Sequence, residues 1–249
     1  MSPPALSVRG LSKAFGALAV TRGVDLDLEP GARVGLIGPN GAGKTTLIHL
    51  LSGTLRADAG TIQLNGAAIE RLRPEHRVRR GLARTHQINT LLPESNARDN
   101  VAVAIAERER LAWRAVWYRQ RWAKCREEAQ ARLEAMDLGS DADRPVCELA
   151  YGQQRLLEIA IALALQPRVL LLDEPAAGVP SGEATVIHAA LARLPSDMAI
   201  LLIEHDMDLV FRFAREIVVL VQGSVLCRGT PEQTRADSRV REAYLGTRT

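Results

Sequence analysis

The octapeptide Gly38-Pro39-Asn40-Gly41-Ala42-Gly43-Lys44-Thr45 constrains this chain more than any other stretch. It satisfies G-x-x-x-x-G-K-[ST] in full. The apolar residues 34–37 before it read as a strand, and residues 45–51 after it read as a helix. In that setting the backbone amides of a glycine loop can wrap a phosphate, because no side chains obstruct them. Lys44 is then placed to neutralise β- and γ-phosphate oxygens, and the Thr45 hydroxyl to hold Mg²⁺. The plain alternative is a glycine turn before a helix. The complete motif in this context argues against it.

A second stretch points the same way. Val169-Leu170-Leu171-Leu172-Asp173-Glu174 is a buried apolar strand delivering two acids at its C-terminal end, where α/β sheets place ligands. Asp173 suits Mg²⁺ coordination and Glu174 suits polarising an attacking water. A third stretch, "ELAYGQQRLLEIA" from Glu148 to Ala160, reads as a short loop of Leu149, Ala150, Tyr151, Gly152 and Gln153 followed by a helix. Its apolar positions recur at helical spacing. A helix N-terminus binds anions through its free amides, so this loop is a further candidate phosphate contact.

Elsewhere the chain alternates strand and helix patterns, which favours a parallel core sheet. Leu6, Val8, Val24, Leu26 and Leu28 alternate with polar residues as antiparallel strands do. "IVVLVQGSVLCRGT" reads as a hairpin turning at Gln222-Gly223. From Val101 to about Met136 the sequence is charged and helical. The expectation is one α/β unit over residues 1–249, with a helical subdomain inserted at 96–149.

Composition excludes several classes. With three scattered cysteines in 249 residues and no CxxC or Cys/His spacing, neither a disulfide framework nor a zinc site is supported. The formal charge of +3 is too weak to argue for nucleic acid. No apolar run approaches the ~18 residues of a membrane span. The start, "MSPPALSVRG", lacks the apolar core of a signal peptide. A chain that is soluble, or held at a membrane through partners, is expected.

The order phosphate loop, Gln87, "LAYGQQR", "LLLDEP", His205 resembles the ATP-binding subunit of an ABC transporter over nearly the whole chain. The resemblance implies the ABC ATPase fold: a P-loop NTPase core with a parallel sheet, an N-terminal antiparallel β subdomain and a helical subdomain. It implies ATP and Mg²⁺, with Gly38, Pro39, Asn40, Gly41, Ala42, Gly43, Lys44, Thr45 and Thr46 around the phosphates. It implies that Phe15 stacks on adenine, that Gln87 senses Mg²⁺ and faces the membrane subunit, and that His205 contacts the γ-phosphate and helps position Glu174. In such a family two ATPases pair head to tail. Leu149, Ala150, Tyr151, Gly152 and Gln153 then resemble the signature that caps the γ-phosphate held by the other chain. His49, His76, His86 and His188 match nothing.

The finer pattern is similar to ATPases of branched-chain amino acid importers, in "LAYGQQRLLEIA", "LLLDEPAAGV", "LLIEHDMDLV" and the tail ending "AYLG". This resemblance implies permease subunits, a second ATPase subunit, an extracytoplasmic binding protein acting indirectly, no nucleic acid, and a place on the cytoplasmic face of the inner membrane. ATPases for urea, amides, aromatic compounds or lipid are alternatives, and a soluble ABC ATPase acting on nucleic acid or the ribosome is a distant one. No Asn/Thr-Lys-x-Asp guanine-reading sequence supports a GTPase. The departures are Ala150 for the signature serine and Pro180 at the D-loop aspartate. Between Arg108 and Arg126, Trp113, Trp117 and Trp122 mix with arginines. A packed aromatic face competes there with a permease or lipid contact and, more remotely, with nucleic acid.

Overall fold

A computed structural model describes residues 3–85, 91–111 and 118–245. The chain divides into two compact units, one of residues 1–84, 168–174 and 195–249, the other of 85–167 and 175–194. The second contains the expected 96–149 segment.

The first unit holds two sheets. Strands β1 (Leu6–Phe15), β2 (Leu18–Leu28), β4 (Ala59–Leu64) and β5 (Ala67–Ala68) form an antiparallel sheet in the order β2-β1-β4-β5. Alternation puts Leu6, Val8, Leu26 and Leu28 inside. The other sheet runs β10-β9-β3-β8-β7-β6. Its strands are β3 (Arg33–Ile37), β6 (Leu82–Arg84), β7 (Val169–Asp173), β8 (Ala199–Ile203), β9 (Glu216–Val221) and β10 (Ser224–Gly229). All pairings are parallel except the β9–β10 hairpin. The hairpin turns at Gln222 and Gly223, both with positive φ, as a tight hairpin turn requires. β7 and β8 are buried along their whole length, so they carry continuous apolar runs rather than alternation.

Helix α1 (Lys44–Ser52) follows β3. Its C-terminus is closed by Gly53 at φ 84 and by a fully buried arginine on α2 (Pro74–Arg79). Arg77 Nη1 donates to the carbonyls of Leu50 and Leu51 at 2.7 Å each. Burial lowers its pKa to about 10. Helices α7 (Met207–Phe213), α8 (Pro231–Ala236) and α9 (Ser238–Leu245) complete this unit.

The second unit is built on α3 (Ala97–Arg108), α4 (Tyr118–Glu134), α5 (Tyr151–Ala164) and α6 (Ser181–Ala192). Asn96 caps α3 by accepting from Asp99 N at 2.7 Å. Arg108 donates to both Glu128 carboxylate oxygens at 2.9 and 2.7 Å and to Ala164 O at 2.9 Å. One side chain therefore ties α3 to α4 and closes α5.

Two expectations are corrected here. The helix expected from Val101 to Met136 is interrupted, because α3 ends at Arg108 and Arg110 takes a left-handed φ of 50. The signature is only partly a loop, since α5 begins at Tyr151. Tyr151, Gly152 and Gln153 are its first turn. Trp113 and Trp117 lie outside the described residues.

Candidate functional site

The phosphate loop joins β3 to α1 within the first unit. Gly38 and Gly43 are required by close approach. A Cβ at Gly38 would collide with the Leu220 carbonyl, and one at Gly43 would lie 2.6 Å from Val20 O. Gly43 also sits at φ 100, a conformation open mainly to glycine. Gly223 N donates to Ala42 O at 2.9 Å, anchoring the loop to the β9–β10 turn. No side chain caps α1, so its first-turn amides keep their donor capacity. Thr45 and Thr46 lie in that turn. Lys44 Nζ donates to Gly38 O at 2.6 Å and Pro39 O at 3.1 Å. Burial pushes the Lys44 pKa down, opposed by the charges of Glu174 and Asp173.

Asp173 ends β7 and is buried. Its Oδ2 pairs with Arg84 Nη2 at 2.8 Å. Arg84 stands one strand away, on β6, aligned with Leu171. Glu174 follows in a left-handed conformation, φ 48, with its N–H donated to Ile203 O at 2.9 Å. Such backbone costs of order 1–3 kcal/mol in a non-glycine residue and concentrates at functional sites. His205 extends from the loop after β8 and is 67% exposed, its Nδ1 3.9 Å from Glu174 Oε1 and 3.8 Å from Glu204 Oε2. These distances exceed a hydrogen bond. The structure thus gathers the phosphate loop, Asp173, Glu174 and His205 in one unit.

Phe15 closes β1 and is half exposed, with the Lys13 ammonium 5.7 Å from its ring centre. An exposed aromatic beside a strand end is open to stacking. Gln87 lies outside the described residues.

The signature stretch belongs to the second unit. Ala150 is the N-cap of α5 and offers no side-chain oxygen. Gln153 Oε1 instead accepts from Ala150 N at 3.0 Å, while its Nε2 donates to Asp141 at 2.9 Å. Arg155 stacks over the Tyr151 ring at 4.9 Å and donates to its hydroxyl. That hydroxyl donates to Ala177 O at 3.3 Å. Gly152 N donates to Glu183 Oε2 at 3.1 Å.

Sequence reasoning missed Arg84, Glu183 and Tyr244. The Tyr244 phenol bonds the Gly38 backbone, and burial pushes its pKa up to about 12. Only Arg84 leaves a sequence trace, as a cation closing a short apolar strand.

Residues 21–177 match the ABC transporter family and residues 224–248 the branched-chain amino acid ATP-binding cassette transporter family. The chain is 42% identical to the high-affinity branched-chain amino acid transport ATP-binding protein BraF of Pseudomonas aeruginosa, over 99% of both chains. It is 40% identical, with the same coverage, to LivG of Escherichia coli K12, which carries the same description. The ADP conformation of an ATP-binding cassette of an ABC transporter superposes with a TM-score of 0.83 at 28% identity, covering 98% of this chain and 99% of that one.

Proposed function

The chain belongs to the ABC transporter ATP-binding family, and from that premise we propose that it is the ATP-hydrolysing subunit of an importer for branched-chain or related hydrophobic amino acids. One observation carries the chemistry: a complete phosphate loop on β3 shares its unit with two acids at the carboxyl end of β7.

In this reading the loop amides and the first turn of α1 bind the phosphates of ATP. Lys44 exchanges its contacts to Gly38 and Pro39 for the β/γ oxygens. Glu174 accepts a proton from the attacking water as the γ-phosphoryl group leaves the β-phosphate oxygen. His205, exposed at the surface, closes on the γ-phosphate and Glu174.

Thr45 and Asp173 would hold Mg²⁺, with Gln87 sensing it. The donor set fits. Mg²⁺ is usually held by one or two carboxylates, substrate phosphates and waters rather than an all-protein cage. No cluster of three or more His, Cys, Asp or Glu able to hold a metal occurs among the described residues. When bound, the ion neutralises phosphate charge. Phe15 stacks on adenine. The signature, Leu149 to Gln153, caps the γ-phosphate of a second ATPase subunit, and permease subunits hold the pair at the cytoplasmic face of the membrane.

The test contrasts two variants. Lys44→Ala loses nucleotide affinity and turnover together, because it removes the charge facing the phosphates. Glu174→Gln keeps binding and loses ~10²–10⁴-fold in hydrolysis, since the amide cannot take the proton. Near-normal turnover in Lys44→Ala rejects the phosphate-loop assignment. Equal loss of binding and turnover in Glu174→Gln makes that residue structural.

A further inference from the structure

The amide that the signature would offer to a partner's phosphate already has an anion on it. Gly152 N donates to Glu183 Oε2 at 3.1 Å, from the first turn of α5 to the first turn of α6. The carboxylate lies against the glycine itself: a Cβ built there would meet Oε2 at 2.6 Å and Glu183 Cβ at 3.3 Å. Glu183 is also the acid in the first turn of its own helix, where a negative charge is favoured by the helix dipole. Pro180, the N-cap of α6, supplies no side-chain acceptor. The N-terminal ends of two helices therefore meet one carboxylate.

A backbone N–H has one hydrogen to donate. A carboxylate and a γ-phosphate compete for it, and two anions a few ångströms apart repel. We propose that Glu183 is a built-in competitor at the signature: it satisfies Gly152 in the unpaired subunit and must release that amide before the partner chain's ATP is capped. The signature then engages only when the incoming triphosphate outcompetes an internal carboxylate. That sets the ATP level at which subunits pair. This rests on the reading of the signature as a trans cap.

The experiment uses the full chain carrying Glu174→Gln, so that pairs are not lost to hydrolysis. The fraction of pairs is followed by sedimentation across an ATP titration, with and without Glu183→Gln or Glu183→Ala. Glu183→Gln keeps an acceptor for Gly152 but removes the charge; Glu183→Ala also frees the amide. Both shift pairing to lower ATP, by about tenfold, the order expected for removing one unit charge from a few ångströms of another in a largely hydrated site. ATP affinity of the unpaired chain stays unchanged, because the phosphate loop is untouched. If Glu183 merely braces the signature, Glu183→Ala pairs at higher ATP, and the proposal is wrong. Pairing equal to that of the parent overturns it also, while leaving the trans cap standing. Absence of ATP-driven pairing in all three overturns both.

Discussion

Arg84 and Asp173 form an ion pair nearly closed to solvent, their side chains 7% and 1% exposed. Charges so placed are strongly coupled. Removing one partner leaves the other buried and uncompensated, at a cost of about 3–5 kcal/mol. Arg84→Met should therefore lower the urea midpoint sharply, while Arg84→Met/Asp173→Asn recovers part of the loss by neutralising the orphaned acid. Equal destabilisation by the single and double variants would show that packing of the arginine stem, rather than charge, is what matters there. The pair also orients the carboxylate proposed to meet Mg²⁺. Glu174, one residue on, has no such partner arginine among the described residues; its left-handed backbone, bonded to Ile203 O, fixes its direction instead.

At the scale of elements, α3, α4 and α5 are joined by polar links as well as apolar packing. The Arg108 guanidinium, bonded in a fork to Glu128 and assisted by Arg132, holds the Glu128 carboxyl down at about 2, against the opposing pull of burial. A group whose folded pKa is depressed stabilises the fold above its unfolded pKa. That contribution is lost as pH falls from the ordinary 4.5 through about 2. With a third of the side chain in contact with water, it is on the order of 1 kcal/mol after screening. Urea midpoints of the parent and Glu128→Gln should differ most above pH 5 and converge toward pH 2. A gap that stays constant down to pH 2 would mean that Glu128 acts through shape alone. The end of α3 shows why this region resists sequence reading. Helices commonly stop on a left-handed glycine, but here Arg110 takes that conformation and Leu111 N returns to Ala106 O at 2.9 Å. No punctuating residue marks the break.

For the molecule as a whole, the proposed importer role makes attachment to a membrane a matter of partners. Among the described residues no helix is long and apolar enough to cross a bilayer. Expressed alone, the chain should appear in the high-speed supernatant. Co-expressed with its cognate permease subunits, it should sediment with membranes and be released by detergent together with them. Membrane association of the chain by itself would instead point to direct lipid contact by the basic, tryptophan-bearing stretch around α4.

The sequence by itself determined the phosphate-loop motif, the acids at the end of β7, the signature-like stretch and the parallel core. Each of these is written in consecutive residues or in a short apolar period, so local chemistry is enough to read it. The glycines at 38 and 43 are legible for the same reason, as members of one motif. The tertiary structure alone decided what holds those groups. Arg84 reaches Asp173 across 89 residues and Glu183 reaches Gly152 across 31. Both pairings depend on strand register or helix apposition, which no local pattern encodes. The start of α5 at Tyr151 belongs there too. Alanine at the cap gives no signal, and the helix begins where it does because Gln153 turns back on Ala150 and is itself held by Asp141. Motifs carry the reactive groups in sequence; the contacts that aim, pair and restrain them exist only once distant segments have been packed together.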